Sequence, residues 1–270
     1  MSGKLTARGF VERATDSLQT FLKDQLDYVF VCIKAIDNAQ VAHQLAQQGL
    51  TKYPVFVSCQ NGIDVEDVFI HHFGSSHTLR MILNIGCGIT AIKPGCAAVD
   101  VKFKFSDILS KITAANQTDE QLAKALAACG IPVTLSVDFK KEAFRKAILN
   151  TALGTVCAIT RLTMREVMQR EDLHRMVKEI VREGSAVGRK LNFDFGDAFL
   201  EEAMAYLSQG GHHKPSLALD IERGQVSENP WLAGAIYHYA ERLGLEVPVI
   251  QTVYYFIRAI EGRAQGQSRV

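Results

Sequence analysis

Two residues four apart carry the first chemical signal. Lys146 and Asn150 lie in Phe144-Arg-Lys-Ala-Ile-Leu-Asn150, where Phe144, Ala147, Ile148 and Leu149, and then Ala152 and Leu153, are all apolar. On a helix that spacing puts an ammonium and an amide on one face. A lysine partly withdrawn from water has its pKa lowered and can donate a proton to a developing alkoxide. The same pattern also suits a lysine that snorkels to water beside an asparagine satisfied in the core or at a cap.

Ser216, Asp220 and Glu228 form a second cluster, in a segment that runs from Pro215 to Pro230. Ser216 to Gly224 reads as one short helix ended by glycine. Ser227 can cap the next helix, which would put Glu228 and Pro230 in its first turn. A carboxylate there is favoured by the helix dipole, a role that competes with any contact to a ligand.

Gly86-Cys-Gly88-Ile-Thr-Ala91 matches the pattern GxGxxA and follows the apolar run Met81 to Ile85. A phosphate-binding loop of that kind works only where a helix starts within it. Pro94 and Gly95 come next and prevent the helix, so a strand-to-strand connection is expected instead. The pairs His71-His72 and His212-His213 lack metal-ligand spacing, because adjacent helical side chains point about 100° apart. No metal is expected.

The elements that must position these residues change character near residue 138. Before it, strand-like runs (Tyr28–Ile33, 54–57, Leu79–Ile85, 132–137) alternate with helical patterns over 39–50, 65–73 and 120–129. That order implies parallel pairing through crossovers, and the unbroken run at Tyr28 suggests a strand buried on both faces. The alternation at 97–105 reads as an antiparallel edge piece. Asp138 is positioned to cap a long helix towards Ala158, with Gly154 as its weak point. Helical patterns follow at 163–169, 173–191, 199–207, 230–243 and 249–260, and the polar tail from Arg263 is expected to fray. The fold class is therefore α/β, a Rossmann-like parallel-sheet domain over 1–137 followed by an all-helical domain over 138–265.

Composition removes several classes. The 270 residues carry 30 basic and 29 acidic side chains, a net charge of +1, which gives no basis for binding nucleic acid or an anionic membrane. No run approaches the ~20 apolar residues of a membrane helix, and the first 23 residues lack a signal peptide's apolar segment. The six cysteines (32, 59, 87, 96, 129, 157) form no CxxC pair and sit mostly in apolar runs, as expected of reduced, mostly buried thiols in a cytoplasmic protein.

Taken in order, the pieces resemble the ketopantoate reductase family. Asp27-Tyr-Val-Phe-Val-Cys-Ile-Lys34-Ala is similar to that family's strand ending in lysine, and Gln60-Asn61-Gly62 to its Gln/His-Asn-Gly loop. Phe144 to Asn150 resembles its catalytic helix, and Ser216, Asp220 and Glu228 its substrate and cofactor segment. Leu232-Ala-Gly234 and Val247-Pro248 fit the helix and loop that follow.

The resemblance implies NADPH-dependent reduction of a 2-keto acid, 2-dehydropantoate or a similar substrate, by a homodimer. Lys146 would be the general acid and Glu228 would share the catalytic site. Asn150, Ser216 and His213 would bind the substrate. Lys34, Asn61, Ala91 and Glu228 would lie along the nicotinamide and ribose of the NADP cofactor. Two departures qualify it. Only 26 residues precede Asp27, with none of the family's GxGxxG pattern, so the N-terminal part is expected to be truncated. Gly154 stands where the family has a second asparagine, the segment around Thr163 and Met164 lacks a third, and His213 replaces a fourth, which implies a smaller or less polar keto acid or a different substrate altogether. The competing expectation is a non-catalytic remnant that serves for binding or dimerisation.

Overall fold

A computed structural model describes residues 14–22, 25–49, 52–92, 99–105, 109–114, 117–131 and 133–267. The chain divides into two compact units. The first comprises Met1–Cys32, Ala39–Gln60 and Glu66–Val137; the second comprises Ile33–Asn38, Asn61–Val65 and Asp138–Val270.

In order along the chain, the sheet-bearing part contains α1 (Leu18–Phe21), β1 (Tyr28–Val31), α2 (Asn38–Ala46), β2 (Val55–Ser58), α3 (Asp67–Phe73) and β3 (Thr78–Ile82). It continues with β4 (Ile85–Ile92), β5 (Val99–Phe105), β6 (Ser110–Thr113), α4 (Gln117–Ala128) and β7 (Val133–Ser136). Five strands form one Rossmann-like sheet in the order β1-β2-β3-β6-β7. β1, β2 and β3 run parallel, as their alternation with helices requires, with Tyr28 opposite Val55 and Phe56 opposite Thr78. β6 then joins antiparallel to β3 and parallel to β7, so the sheet is mixed.

The expectation that the Tyr28 run is buried on both faces needs correction. Among the described residues β1 ends the sheet, and Phe30 is 43% exposed. Phe56 of β2 meets Phe73 and Phe69 of α3 at ring separations of 4.3 and 6.0 Å and anchors the packing of α3. Val57, Leu79, Met81, Ile112 and Leu122 complete the core of this unit. Buried Arg80 donates to the Ser58 carbonyl and hydroxyl (3.4 and 3.1 Å) and lies 3.5 Å from a Glu66 oxygen, so the charge is paired.

The segment matching GxGxxA lies inside β4, which pairs antiparallel with β5 in a separate two-stranded sheet, Gly86 opposite Lys104 and Ala91 opposite Asp100. A glycine pattern inside a hairpin strand has no helix N-terminus to offer an anion.

The helical part begins with α5 (Phe139–Thr160), followed by α6 (Met164–Gln169), α7 (Glu171–Lys190), α8 (Phe199–Ser208) and α9 (Ser216–Glu222). A 3-10 turn (Asn229–Trp231), α10 (Ala233–Arg242) and α11 (Pro248–Gln267) complete it. α5 is buried on nearly every side, from Phe144 through Ala158, which is why its apolar residues show no single stripe. Gly154 does not interrupt it. Asp138 occupies its N-cap position, but the carboxylate pairs with Lys141 at 2.9 Å and makes no bond to the helix amides.

α6 has a reciprocal cap, Thr163 with Glu166. The first amides of α11 are met from another helix: Glu183 of α7 accepts from Val249 and Ile250 at 3.0 and 2.8 Å. Burial pushes the Glu183 carboxyl up, and these amide bonds oppose the rise. α11 continues to Gln267, past the point where fraying is expected.

No helix among the described residues is long and apolar enough to cross a membrane. Of the described free cysteines, Cys59 and Cys157 are buried, whereas Cys32 and Cys129 are exposed, so burial is less general than their apolar neighbours suggest.

Candidate active site

Lys34 and Asn61 lie far from the helices in sequence, yet both belong to the helical unit, through the short segments Ile33–Asn38 and Asn61–Val65. Gly62 shows why the Gln60-Asn61-Gly62 turn has the composition it does. Its φ is +122°, and a Cβ there would lie 2.6 Å from Trp231 Cβ and 2.9 Å from Val65 Cγ1. Only glycine fits both the dihedral and the space. The next residue, Ile63, donates its amide to the Trp231 carbonyl at 2.9 Å, and Asn38 Nδ2 donates to the Val65 carbonyl at 2.8 Å. These bonds tie Asn61 to the 3-10 turn that follows Glu228.

Lys146 comes from α5 and is half-buried. Its Nζ donates to Asn61 Oδ1 at 3.0 Å. Asn61 Nδ2 in turn donates to Glu228 Oε2 at 3.3 Å. One amide therefore stands between an ammonium and a carboxyl group, and the two partners set which way it is turned. The Asn61 amide thus links Glu228 to Lys146.

Nor does Glu228 sit in the first turn of an α-helix. It caps a three-residue 3-10 turn with Pro230 inside it, while Ser227 Oγ accepts from the Asn229 amide and donates to Glu261. So short a turn supplies little dipole. Burial raises the Glu228 carboxyl pKa, and the Asn61 bond opposes that rise. Asp220 adds to it, while Lys34 and the Ala35 amide work against it.

Lys34 precedes a 3-10 turn, Ala35–Asp37. Its Nζ forms an ion pair with Asp220 Oδ1 of α9 at 2.7 Å and donates to the Val226 carbonyl at 3.3 Å. Asp220 is the better buried partner, its side chain 13% exposed against 39% for Lys34. Sequence spacing groups Asp220 with Ser216 and Glu228, but nothing in the sequence links it to a lysine 186 positions away.

Asn150 follows Lys146 by one turn of α5, on the same face. Ser216 opens α9 and is exposed, and its neighbour Leu217 packs on α5 at Gly154. Among the described residues the side chains of Asn150 and Ser216 have no hydrogen-bond partner in the protein. His213 is exposed in the loop between α8 and α9, where its carbonyl accepts from the Met164 amide at 3.1 Å. Ala91 belongs to β4, and its side chain lies outside the described residues.

The structure thus joins Lys146, Asn61 and Glu228 in one series and pairs Lys34 with Asp220, with Asn150 one turn of α5 from Lys146. A half-buried ammonium held by an amide, itself fixed by a carboxyl, can present a proton to a bound carbonyl oxygen. Free amide and hydroxyl donors can bind an anion or a carbonyl oxygen.

Comparison with known proteins agrees with this frame. The family profile described as "Ketopantoate reductase PanE/ApbA" matches residues 6–104, and that described as "Ketopantoate reductase PanE/ApbA C terminal" matches residues 138–261. The 2-dehydropantoate 2-reductase of Archaeoglobus fulgidus is 23% identical over 238 residues, 88% of this chain and 78% of that protein. Among solved structures, a PanE/ApbA family ketopantoate reductase from Ralstonia eutropha JMP134 superposes with a TM-score of 0.78 at 24% identity, covering 88% of this chain and 77% of that one. D-mandelate dehydrogenase, solved with NADH and anilino(oxo)acetate, gives a TM-score of 0.75 at 21% identity over 90% of this chain and 78% of that one.

Proposed function

The chain belongs to the ketopantoate reductase family, and on that premise we propose that it reduces a 2-keto acid with NADPH, Lys146 giving the proton. The observation that carries this reading is the series Lys146–Asn61–Glu228. A solvated lysine on a helix surface needs no such partner, and a half-buried amide holding an ammonium in one direction is a feature of a positioned acid.

The donor set suits the nicotinamide and ribose end of the cofactor. Lys34 and Asn61 offer N–H donors and Glu228 an acceptor, as ribose hydroxyls and a carboxamide require. When bound, the reduced nicotinamide supplies a hydride to the carbonyl carbon. The chain's own residues do the rest. Asn61 accepts one Lys146 N–H and so orients the ammonium, which gives a proton to the carbonyl oxygen as negative charge develops there. Asn150, on the same face, orients that oxygen. The Ser216 hydroxyl donates to the substrate carboxylate, and His213 borders the same side. Asp220 neutralises Lys34 and so keeps a second ammonium from competing with Lys146 for the anionic substrate. Ala91 beside the nicotinamide rests on family resemblance alone. Glycine at 154 removes a polar side chain from α5, which favours a keto acid with a smaller or less polar tail than 2-dehydropantoate.

The test is oxidation of NADPH, and separately of NADH, against a panel of 2-keto acids that includes 2-dehydropantoate. Turnover with NADPH and at least one such acid is expected. A folded protein that oxidises neither nucleotide with any of them would overturn the reading.

A further inference from the structure

We propose that Cys32 and Cys59 form a thiol pair that reacts with low-molecular-weight disulfides, Cys32 as the attacking sulfur and Cys59 as the resolving one.

The pairing of β1 with β2 runs from Tyr28 opposite Val55 to Val31 opposite Ser58, and one further step sets Cys32 beside Cys59. The strands are still joined there, since the Cys59 amide donates to the Val31 carbonyl at 3.1 Å. Adjacent strands lie ~4.8 Å apart, inside the ~4.4–6.8 Å range of Cα separations that a disulfide spans. In that register the two side chains share one face of the sheet, and the Cys59 thiol, which donates to the Val57 carbonyl at 3.5 Å, also interacts with the Cys32 sulfur.

The pair is asymmetric in the way such chemistry needs. Cys32 is exposed and Cys59 is 8% exposed, so an external disulfide meets Cys32 first. The hydrogen bond from Cys59 lowers the Cys32 pKa to about 7, against the opposing effect of burial. Near neutral pH much of Cys32 is then the nucleophilic thiolate. That same bond, followed by burial, raises Cys59, with Arg80 pulling the other way.

The Cys32 thiolate attacks one sulfur of R–S–S–R. The external S–S bond breaks, one RS⁻ leaves and takes up the proton that Cys32 had lost, and Cys32 carries the mixed disulfide. Cys32 is then no longer a thiolate, so the bond that most strongly held the proton on Cys59 is gone. Cys59 loses that proton, attacks Cys32 Sγ, and expels the second RS⁻, which is protonated to RSH. Two protein thiols are oxidised to one disulfide, and R–S–S–R is reduced to two RSH.

The proposal depends on the sulfurs alone and does not rest on the reductase reading. The experiment is incubation of the folded full chain with excess glutathione disulfide, followed by intact mass and peptide mapping without reductant. The expected product is lighter by two hydrogens, carries no glutathione on either residue, and maps to a Cys32–Cys59 bridge. Cys59→Ala should stop at one glutathione on Cys32, and Cys32→Ser should leave Cys59 unmodified. The mapping of the parent does not depend on either variant folding. A lasting glutathione adduct on Cys32 in the parent would overturn the proposal. So would modification of exposed Cys129 while Cys32 and Cys59 remain thiols, or no reaction at all.

Discussion

Lys146→Met separates a positioned acid from a structural lysine. Methionine keeps the apolar stem, so packing on α5 changes little. The change removes the bond from Nζ to Asn61 Oδ1 at 3.0 Å. A bond from a charged donor contributes ~1.5–3 kcal/mol, and because this one is only half-buried, we take ~1 kcal/mol. For a folding unit of this size that corresponds to a fall in Tm of ~2–4 °C. The chemical step should suffer far more. Loss of a general acid slows turnover ~10²–10⁴-fold, or ~2.7–5.5 kcal/mol of barrier. Lys146→Arg should keep the bond to Asn61 and most of the stability, yet remain slow, because guanidinium does not release its proton. The assay is steady-state loss of reduced nicotinamide with each variant, paired with a thermal melt. A Lys146→Met protein that turns over at the parent's rate while melting several degrees lower would refute the assignment.

Glu228 and two glycines give further tests. Because burial raises the Glu228 carboxyl pKa, the folded chain holds a proton there that the unfolded chain releases, so the parent loses stability as pH rises from the ordinary carboxyl value, ~4.3, through the raised one. Glu228→Gln cannot ionise; its Tm should match the parent's below that window and exceed it above, and an offset that stays constant across pH would contradict this. A Cβ added at Gly154 would meet only Leu217 Cβ, at 3.8 Å, so Gly154→Ala should gain ~0.5–1 kcal/mol of stability from helix propensity. At Gly188 the same atom would lie 2.3 and 2.6 Å from the Phe195 ring, so Gly188→Ala should cost ~1–3 kcal/mol in urea unfolding, and shifts of the same sign in both would refute the packing described.

What could be read from the sequence was local in origin. Lys146 and Asn150 share a face because the helix period puts them there. Strand β6 escaped notice for an equally local reason. Ser110-Lys-Ile-Thr113 has a single large apolar residue, and its place in the sheet comes from pairing with β3 and β7. The run at Tyr28 misled because a continuous apolar strand looks the same in sequence whether it has one neighbour or two. The contacts that make the site were the least visible. Asn61 reaches Lys146 across 85 positions, and Lys34 reaches Asp220 across 186. No spacing rule operates at that range; family resemblance supplied the residues, and the fold supplied their partners.

The membership of Ile33–Asn38 and Asn61–Val65 in the helical unit bears on how this protein can be cut and recombined. A fragment starting at Asp138 would keep Lys146, Asp220 and Glu228 but would remove Asn61 from Lys146 and Lys34 from Asp220. It would also uncover the Trp231 carbonyl that Ile63 satisfies. The site is thus not a heritable stretch of sequence, and chimeras joined at a single crossover near residue 138 would inherit half of each parent's polar series. Lineages that exchanged such halves would have had to re-match Lys34 with Asp220 and Asn61 with Lys146 across the junction.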